Sequence, residues 1–293
     1  MRKIASAFFA AAVALGTNSY AQAQSAPTLR VVTEDPSLPS ELFYGDVKVK
    51  PVRLRPGTNQ RITIEDSDFF VQQQYIDFLS RFPEASGFQA WMNVLASCNG
   101  DAKCLFGPDG KRVLVSQSFF KSNEFHEKGF LSHRFYAVSF GRLATYAEFV
   151  SDMRSLTGAT AEETLAKRAA FAGSWVQRAD FKAIYDSLSN QAYVDRLEQT
   201  AGVTLANKAQ LVASLDGQSK TRAQVLREIV DSAAVSSKEF DPAFVAIQYY
   251  GYLRRAPEST GYANWLNYLR ANPGAYNTMV WGFVESTEYV NRF

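Results

Sequence analysis

The sequence has little of what metal or redox chemistry needs. Its 293 residues include two histidines and two cysteines, too few for a recognisable zinc set, which takes three or four ligands at short spacings. His126 and His133 lie seven positions apart with Glu124 and Glu127 nearby, but Gly129 is expected to interrupt the helix that would put them on one face. There is no H-E-x-x-H, G-x-S-x-G, phosphate-cradling glycine loop or dinucleotide fingerprint. Ser118-Phe-Phe-Lys121 fits the S-x-x-K half of a penicillin-binding pattern. Its K-T-G partner fails, because Lys220-Thr221 is followed by Arg222. We assign no catalytic residue, no cofactor and no metal ligand.

An excess of charge is also missing. The formal net charge is +2, and without Arg2 and Lys3 the basic and acidic side chains balance at 29 each. A balanced surface argues against nucleic acid or an anionic membrane as the main partner, since both reward a basic face. No apolar run beyond the N-terminus reaches the length of a membrane-spanning helix, so an integral helical membrane protein is not expected. The N-terminus itself reads as a signal peptide over residues 1–23. Arg2 and Lys3 precede the apolar run Ile4–Leu15, and Ala21-Gln22-Ala23 forms an A-x-A cleavage site. The expected location is exported: periplasm, cell surface or extracellular.

What is present is a globular composition, 46% hydrophobic and rich in aromatics, able to build a sizeable core. In an oxidising compartment the close pair Cys98 and Cys104 is expected to form a disulfide that pins one loop.

The most informative feature is an internal repeat. Phe70–Leu95 and Phe244–Leu269 align without a gap at an offset of 174 residues. They share Tyr75 and Tyr249, Arg81 and Arg255, Pro83 and Pro257, Glu84 and Glu258, Gly87 and Gly261, and Trp91 and Trp265. In the first copy Val71, Tyr75, Phe78, Leu79 and Phe82 form one helical stripe ending at Pro83; Phe88, Trp91, Met92 and Leu95 form the next. In the second copy, Asp241 and Pro242 predict a helix start. A third element, Phe119-xx-Ser122-x-Glu124-Phe125, returns as Phe283-xx-Ser286-x-Glu288-Tyr289. Weaker echoes at Trp175–Phe181 and Ser232–Phe240 predict two degenerate units between. Thr160-Ala-Glu-Glu163 reads as a capping box, and Thr145 and Ser189 as N-caps. Residues 24–66 differ: Leu29–Thr33 and Asp46–Arg55 read as short strands of an extended arm. The expected organisation is an arm over 24–66, a first helical unit over 67–129, degenerate units over 130–240 and a second clear unit over 241–293, mostly α in class.

With this order and spacing, the chain resembles the family known as domain of unknown function 4214 over 67–129 and 241–293. The resemblance implies a helical fold similar to the phycobilisome linker domain, in exported bacterial proteins, with no catalytic activity. Glu84 and Glu258 stand where that family more often has Asp, and this weakens any calcium-binding role for the turn.

Each repeated arginine is expected to pair with a carboxylate, Arg81 with Glu124 or Glu84 and Arg255 with Glu288 or Glu258, tying turn to helix end. The helical spacing of the tryptophans and tyrosines predicts core packing, leaving Phe43, Tyr44, Tyr146 and Tyr276 for an outer face. The function expected is a non-enzymatic scaffold or adaptor that binds another envelope or extracellular protein. The alternative is a carbohydrate-binding module for cell-wall or matrix polysaccharide.

Overall fold

The computed structural model describes residues 29–32, 41–44, 46–48 and 53–293; the expected signal peptide lies outside them. The fold is mostly α-helical. Three short strands precede the helices: β1 (Leu29–Val32), β2 (Glu41–Tyr44) and β3 (Val47–Lys48). They form an antiparallel meander in the order β1-β2-β3, with Leu29 opposite Tyr44 and Phe43 opposite Lys48. The middle strand was not expected, because four residues between prolines and a glycine carry too little alternation to register. The arm is fastened where it meets the first helix. Arg55 reaches Asp66 at 2.9 Å and Asp68 at 2.7 Å.

The helices follow as α1 (Ser67–Leu79), α2 (Ala85–Ala96), α3 (Ala102–Leu105), α4 (Lys111–Phe120) and α5 (Asn123–Phe125). A π-helical turn, His126–Phe130, joins α5 to α6 (Leu131–Phe140) without a break. Gly129 therefore does not interrupt the helix; it lies against the Phe125 ring, where a side chain would collide. Next come α7 (Tyr146–Ser155), α8 (Ala161–Trp175), α9 (Ala179–Tyr185), α10 (Asn190–Ala201), α11 (Lys208–Asp216) and α12 (Arg222–Val230). The last are α13 (Ala233–Gln248), a second π turn (Tyr249–Leu253), α14 (Ser259–Ala271), α15 (Tyr276–Val284) and α16 (Thr287–Val290).

Two local signals recur along the whole helical chain. The first helix of each unit ends on a left-handed residue: Ser80, Gly141, Gly202 and Arg254, with φ of 55°, 63°, 59° and 52°. At the third, the Val203 N–H reaches Glu198 O at 3.4 Å, the six-residue closure of a Schellman turn. The last helix of each unit ends in an apolar residue, a cap three positions on, and a second buried apolar residue three further. These are Phe119/Ser122/Phe125, Trp175/Arg178/Phe181, Ile229/Ser232/Val235 and Phe283/Ser286/Tyr289. The three serines accept from the backbone N–H of the residue three on, at 3.1, 3.3 and 3.1 Å. The echo near Ser232 thus sits at Ser232–Val235, not at Phe240.

Asp241 and Pro242 do not start a helix. Ser232 caps α13 nine residues earlier, and the helix runs through the proline. An interior proline costs about 3 kcal/mol through its missing N–H and ring clash. Packing on both sides offsets this. Phe240 and Phe244 stack edge-on against Phe120 and Tyr276, and Asp241 accepts a hydrogen bond from Tyr276 Oη at 2.6 Å. Thr145 makes a full capping box with Glu148, and Ser189 caps α10. Thr160 caps Glu163 N–H, but the Glu163 carboxylate takes the Ala159 N–H, so only half of that box forms.

The units share one core. Helices α6, α10, α12 and α13 pack together at its centre, and α4 packs on α15, joining the first unit to the last. Phe78 meets Tyr252 edge-on at 5.1 Å. A buried polar seam runs alongside: Tyr252 Oη donates to Gln74 at 3.3 Å, and Arg292 reaches Asp77 at 3.0 Å. Among the described residues no helix is long and apolar enough to cross a membrane.

Candidate functional site

The repeated residues converge into one clasp per copy. In the first, Arg81 Nη1 donates to Glu84 Oε2 at 2.5 Å, while Nε and Nη2 grip Glu124 as a fork at 2.8 Å each. The same guanidinium lies 4.9 Å from the centre of the Tyr75 ring. The second copy repeats this. Arg255 donates to Glu258 at 2.6 Å, forks onto Glu288 at 2.7 and 3.1 Å, and lies 5.2 Å from the Tyr249 ring. Each arginine thus takes both candidate carboxylates at once. Gly87 and Gly261 have no need of left-handed freedom; they leave space. A Cβ at either would run into the glutamate carboxylate and the tyrosine hydroxyl of its own clasp. Pro83 and Pro257 fill the turns between the left-handed exits and the next helices.

The two clasps differ in depth. Burial opposes charge on Glu124, but hydrogen bonds from Arg81 and from Lys128 Nζ, 2.6 Å away, bring its carboxyl down to about 2. Lys128 is almost fully buried and also faces Leu79 O at 3.4 Å. The corresponding cation in the second copy, Arg292, turns to the helix end instead, donating to Gly251 O at 2.8 Å and Tyr252 O at 2.5 Å. Sequence reasoning missed both cations. Their signal is the shared spacing: each stands three residues after the aromatic that ends the motif, Phe125 or Tyr289.

A third clasp sits in the degenerate region. Arg142 forks onto Glu148 at 2.8 Å twice, donates to Leu143 O at 2.9 Å and lies 5.1 Å from the Tyr136 ring. The Arg142 hydrogen bond, with backbone bonds at Thr145, holds the Glu148 carboxyl down to about 2. The retained signal is a tyrosine six residues before an arginine, at Tyr75/Arg81, Tyr136/Arg142 and Tyr249/Arg255. The glutamate has moved three positions, to the place of Gly87, and this hides the unit in the sequence.

Trp91 and Trp265 are half-buried, tilted against Phe119 and Phe283 at 5.7 and 6.0 Å. Of the aromatics expected outside, Tyr44 is exposed. Tyr146 and Tyr276 instead pack on Tyr250 and Phe244; both sit at helix starts, where solvent would be the default. The side chain of Phe43 lies outside the described residues.

A disulfide joins Cys98 to Cys104 with Cα atoms 5.5 Å apart. The loop beyond it docks on the other copy: Gly107 N–H donates to Glu285 at 3.0 Å, and Asn277 to Asp109 at 3.0 Å. The inserted segment therefore bridges the first and last units.

A concave surface with a polar floor lies on another part of the fold. A cleft of about 440 Å3 opens between the 126–134 helical run and the start of α13, lined by His126, Phe130, Arg134, Ser236, Ser237 and Phe240. Arg134 is 8% exposed. Its Nη1 donates to Val230 O and Ser236 Oγ at 2.9 Å each, and Nε to Phe130 O at 3.4 Å. His126 stands among the rings of Phe120, Phe130 and Phe240; burial and the nearby Arg134 charge hold it below its usual range. His133 faces Glu239 at 3.0 Å instead. Among the described residues no three His, Cys, Asp or Glu side chains are grouped to hold a metal ion.

Comparison with known proteins yields one family. A model described as Domain of unknown function (DUF4214) matches residues 233–293. No curated protein and no solved structure matches the chain.

Proposed function

We propose that the protein is an exported, non-enzymatic helical scaffold or adaptor that binds another protein in the bacterial envelope or at the cell surface. In this reading, residues 67–129 are a second copy of the unit matched at 233–293, and both have a fold similar to the phycobilisome linker domain. The observation that carries the reading is where the duplicated and unduplicated side chains go. Tyr, Arg, Glu and Gly of both copies turn toward one another and are used in holding the turns. Phe82, which has alanine as its counterpart in the second copy, is 70% exposed on the turn that Arg81 holds. A large apolar side chain on a pre-ordered turn is the kind of anchor that carries binding energy, because little conformational freedom is lost on contact. Leu165, 63% exposed on α8, is a second such anchor. The arm supplies a third contact: among the described residues β1 is an edge strand of its sheet, and an edge is where a partner can add a strand.

The test is capture from an envelope fraction by tagged residues 24–293, beside Phe82→Asp and Leu165→Asp variants and a form lacking 24–66. The reading requires a saturable protein partner lost in at least one of these. Sedimentation with insoluble polysaccharide, unchanged in all three, would replace it with the carbohydrate-binding reading.

A further inference from the structure

The cleft between the first π turn and α13 combines three properties that the fold alone does not need together. Its floor carries a guanidinium that is nine-tenths buried, where charge is costly unless partnered. Nε and Nη1 of Arg134 face carbonyl and hydroxyl oxygens, and among the described residues no hydrogen bond occupies Nη2. The nearest carboxylate, Asp231, lies 3.4 Å from Nη1, is 40% exposed, and is shared with Arg227 at 2.5 Å. The other carboxylates nearby are engaged elsewhere, Glu239 with His133 and Glu127 with Arg168. The walls are apolar rings, Phe130 and Phe240, edge to face at 6.0 Å. The rim carries one exposed hydroxyl, Ser237, and one half-buried imidazole, His126.

We propose that this cleft is a binding site for a carboxylate borne on an apolar or aromatic body, as at the C-terminus of a peptide ending in an apolar residue. The carboxylate meets Arg134 Nη2 and the Ser237 hydroxyl, and the body lies between Phe130, Phe240 and His126. A guanidinium presents paired donors suited to a carboxylate, and a few convergent polar groups in an apolar cleft are the usual form of a ligand site. The ring walls favour an apolar body over a sugar, whose several hydroxyls would need partners: Ser236 is already engaged by Arg134. The site does not rest on the scaffold reading, since small probes can occupy it whether or not a protein partner is captured.

Histidine ring signals test it in the full chain, because the protein has two histidines and His126 lines the cleft while His133 is held by Glu239. The probes are benzoate, N-acetyl-phenylalanine, glucuronate and inorganic phosphate. Benzoate and N-acetyl-phenylalanine should move the His126 signals saturably, raise its titration midpoint, and leave His133 still. Ser237→Glu, at an exposed rim position, should weaken this binding by about tenfold or more through like charge. Arg134→Gln should do the same wherever melting shows it folded. No movement of His126, equal movement of both histidines, or unchanged binding in Ser237→Glu would overturn the site. Glucuronate or phosphate binding as tightly as benzoate would overturn the ligand class.

Discussion

Asp77 and Arg292, 215 positions apart, meet at 3.0 Å inside the buried seam between α1 and the C-terminal helices. Arg254 reaches the same carboxylate at 3.2 Å, and among the described residues no hydrogen-bond partner meets the buried Asp77 Oδ2. The carboxylate is 3% exposed and Arg292 is 12% exposed, so solvent cannot replace a lost member. Breaking a buried pair on one side costs about 3–5 kcal/mol. Asp77→Asn should lose stability on that scale in urea, and Arg292→Met nearly as much. A double variant milder than the sum of the two would show that they act as one pair.

Glu124 sets an acid limit. Its folded carboxyl sits at about 2 against an ordinary 4.5, so the folded state favours the charged form. That stability is present above about pH 4.5 and is lost as pH falls toward 2. Glu148, also at about 2, adds in the same window. Glu124→Gln should lower stability at pH 7 and flatten the decline between pH 5 and 2, read as melting temperature against pH.

Glycine substitutions should divide by surroundings. Gly87→Ala forces the Glu84 and Tyr75 side chains apart and loosens the clasp, and should cost about 1 kcal/mol. Gly173, in the last turn of α8 with open space around it, should stabilise by about 0.5 kcal/mol as alanine. Denaturation midpoints of the two variants should move in opposite directions.

Reducing the Cys98–Cys104 bridge should lower stability by about 2 kcal/mol on chain-entropy grounds. Amide exchange should then rise first at Gly107–Gly110, where the loop leans on Glu285 and Asn277.

The helical class, the cysteine pair and the roles of Arg81 and Arg255 were legible because spacing and duplication carry them. The middle clasp was not, since moving one glutamate from the turn into α7 erased the motif while keeping the contact. Asp241-Pro242 misled because local preference marks a helix start there, and the ring contacts of Phe240 and Phe244 outweigh it. The seam of Gln74, Asp77, Tyr252 and Arg292 joins residues far apart in sequence, and no local pattern reports such pairing. The cleft likewise assembles from two helices, 126–134 and α13, whose residues carry no joint motif.

The central claim is that the repeated arginines hold the fold and that other side chains make the partner contact. It is tested most directly by Arg255→Ala, whose turn carries Ala256 where the first copy has Phe82, measured for melting and for partner capture well below its own melting point. A melting point lower than that of the native chain, with undiminished capture, is the predicted result. An unchanged melting point with capture lost would contradict it and make Arg255 a binding residue.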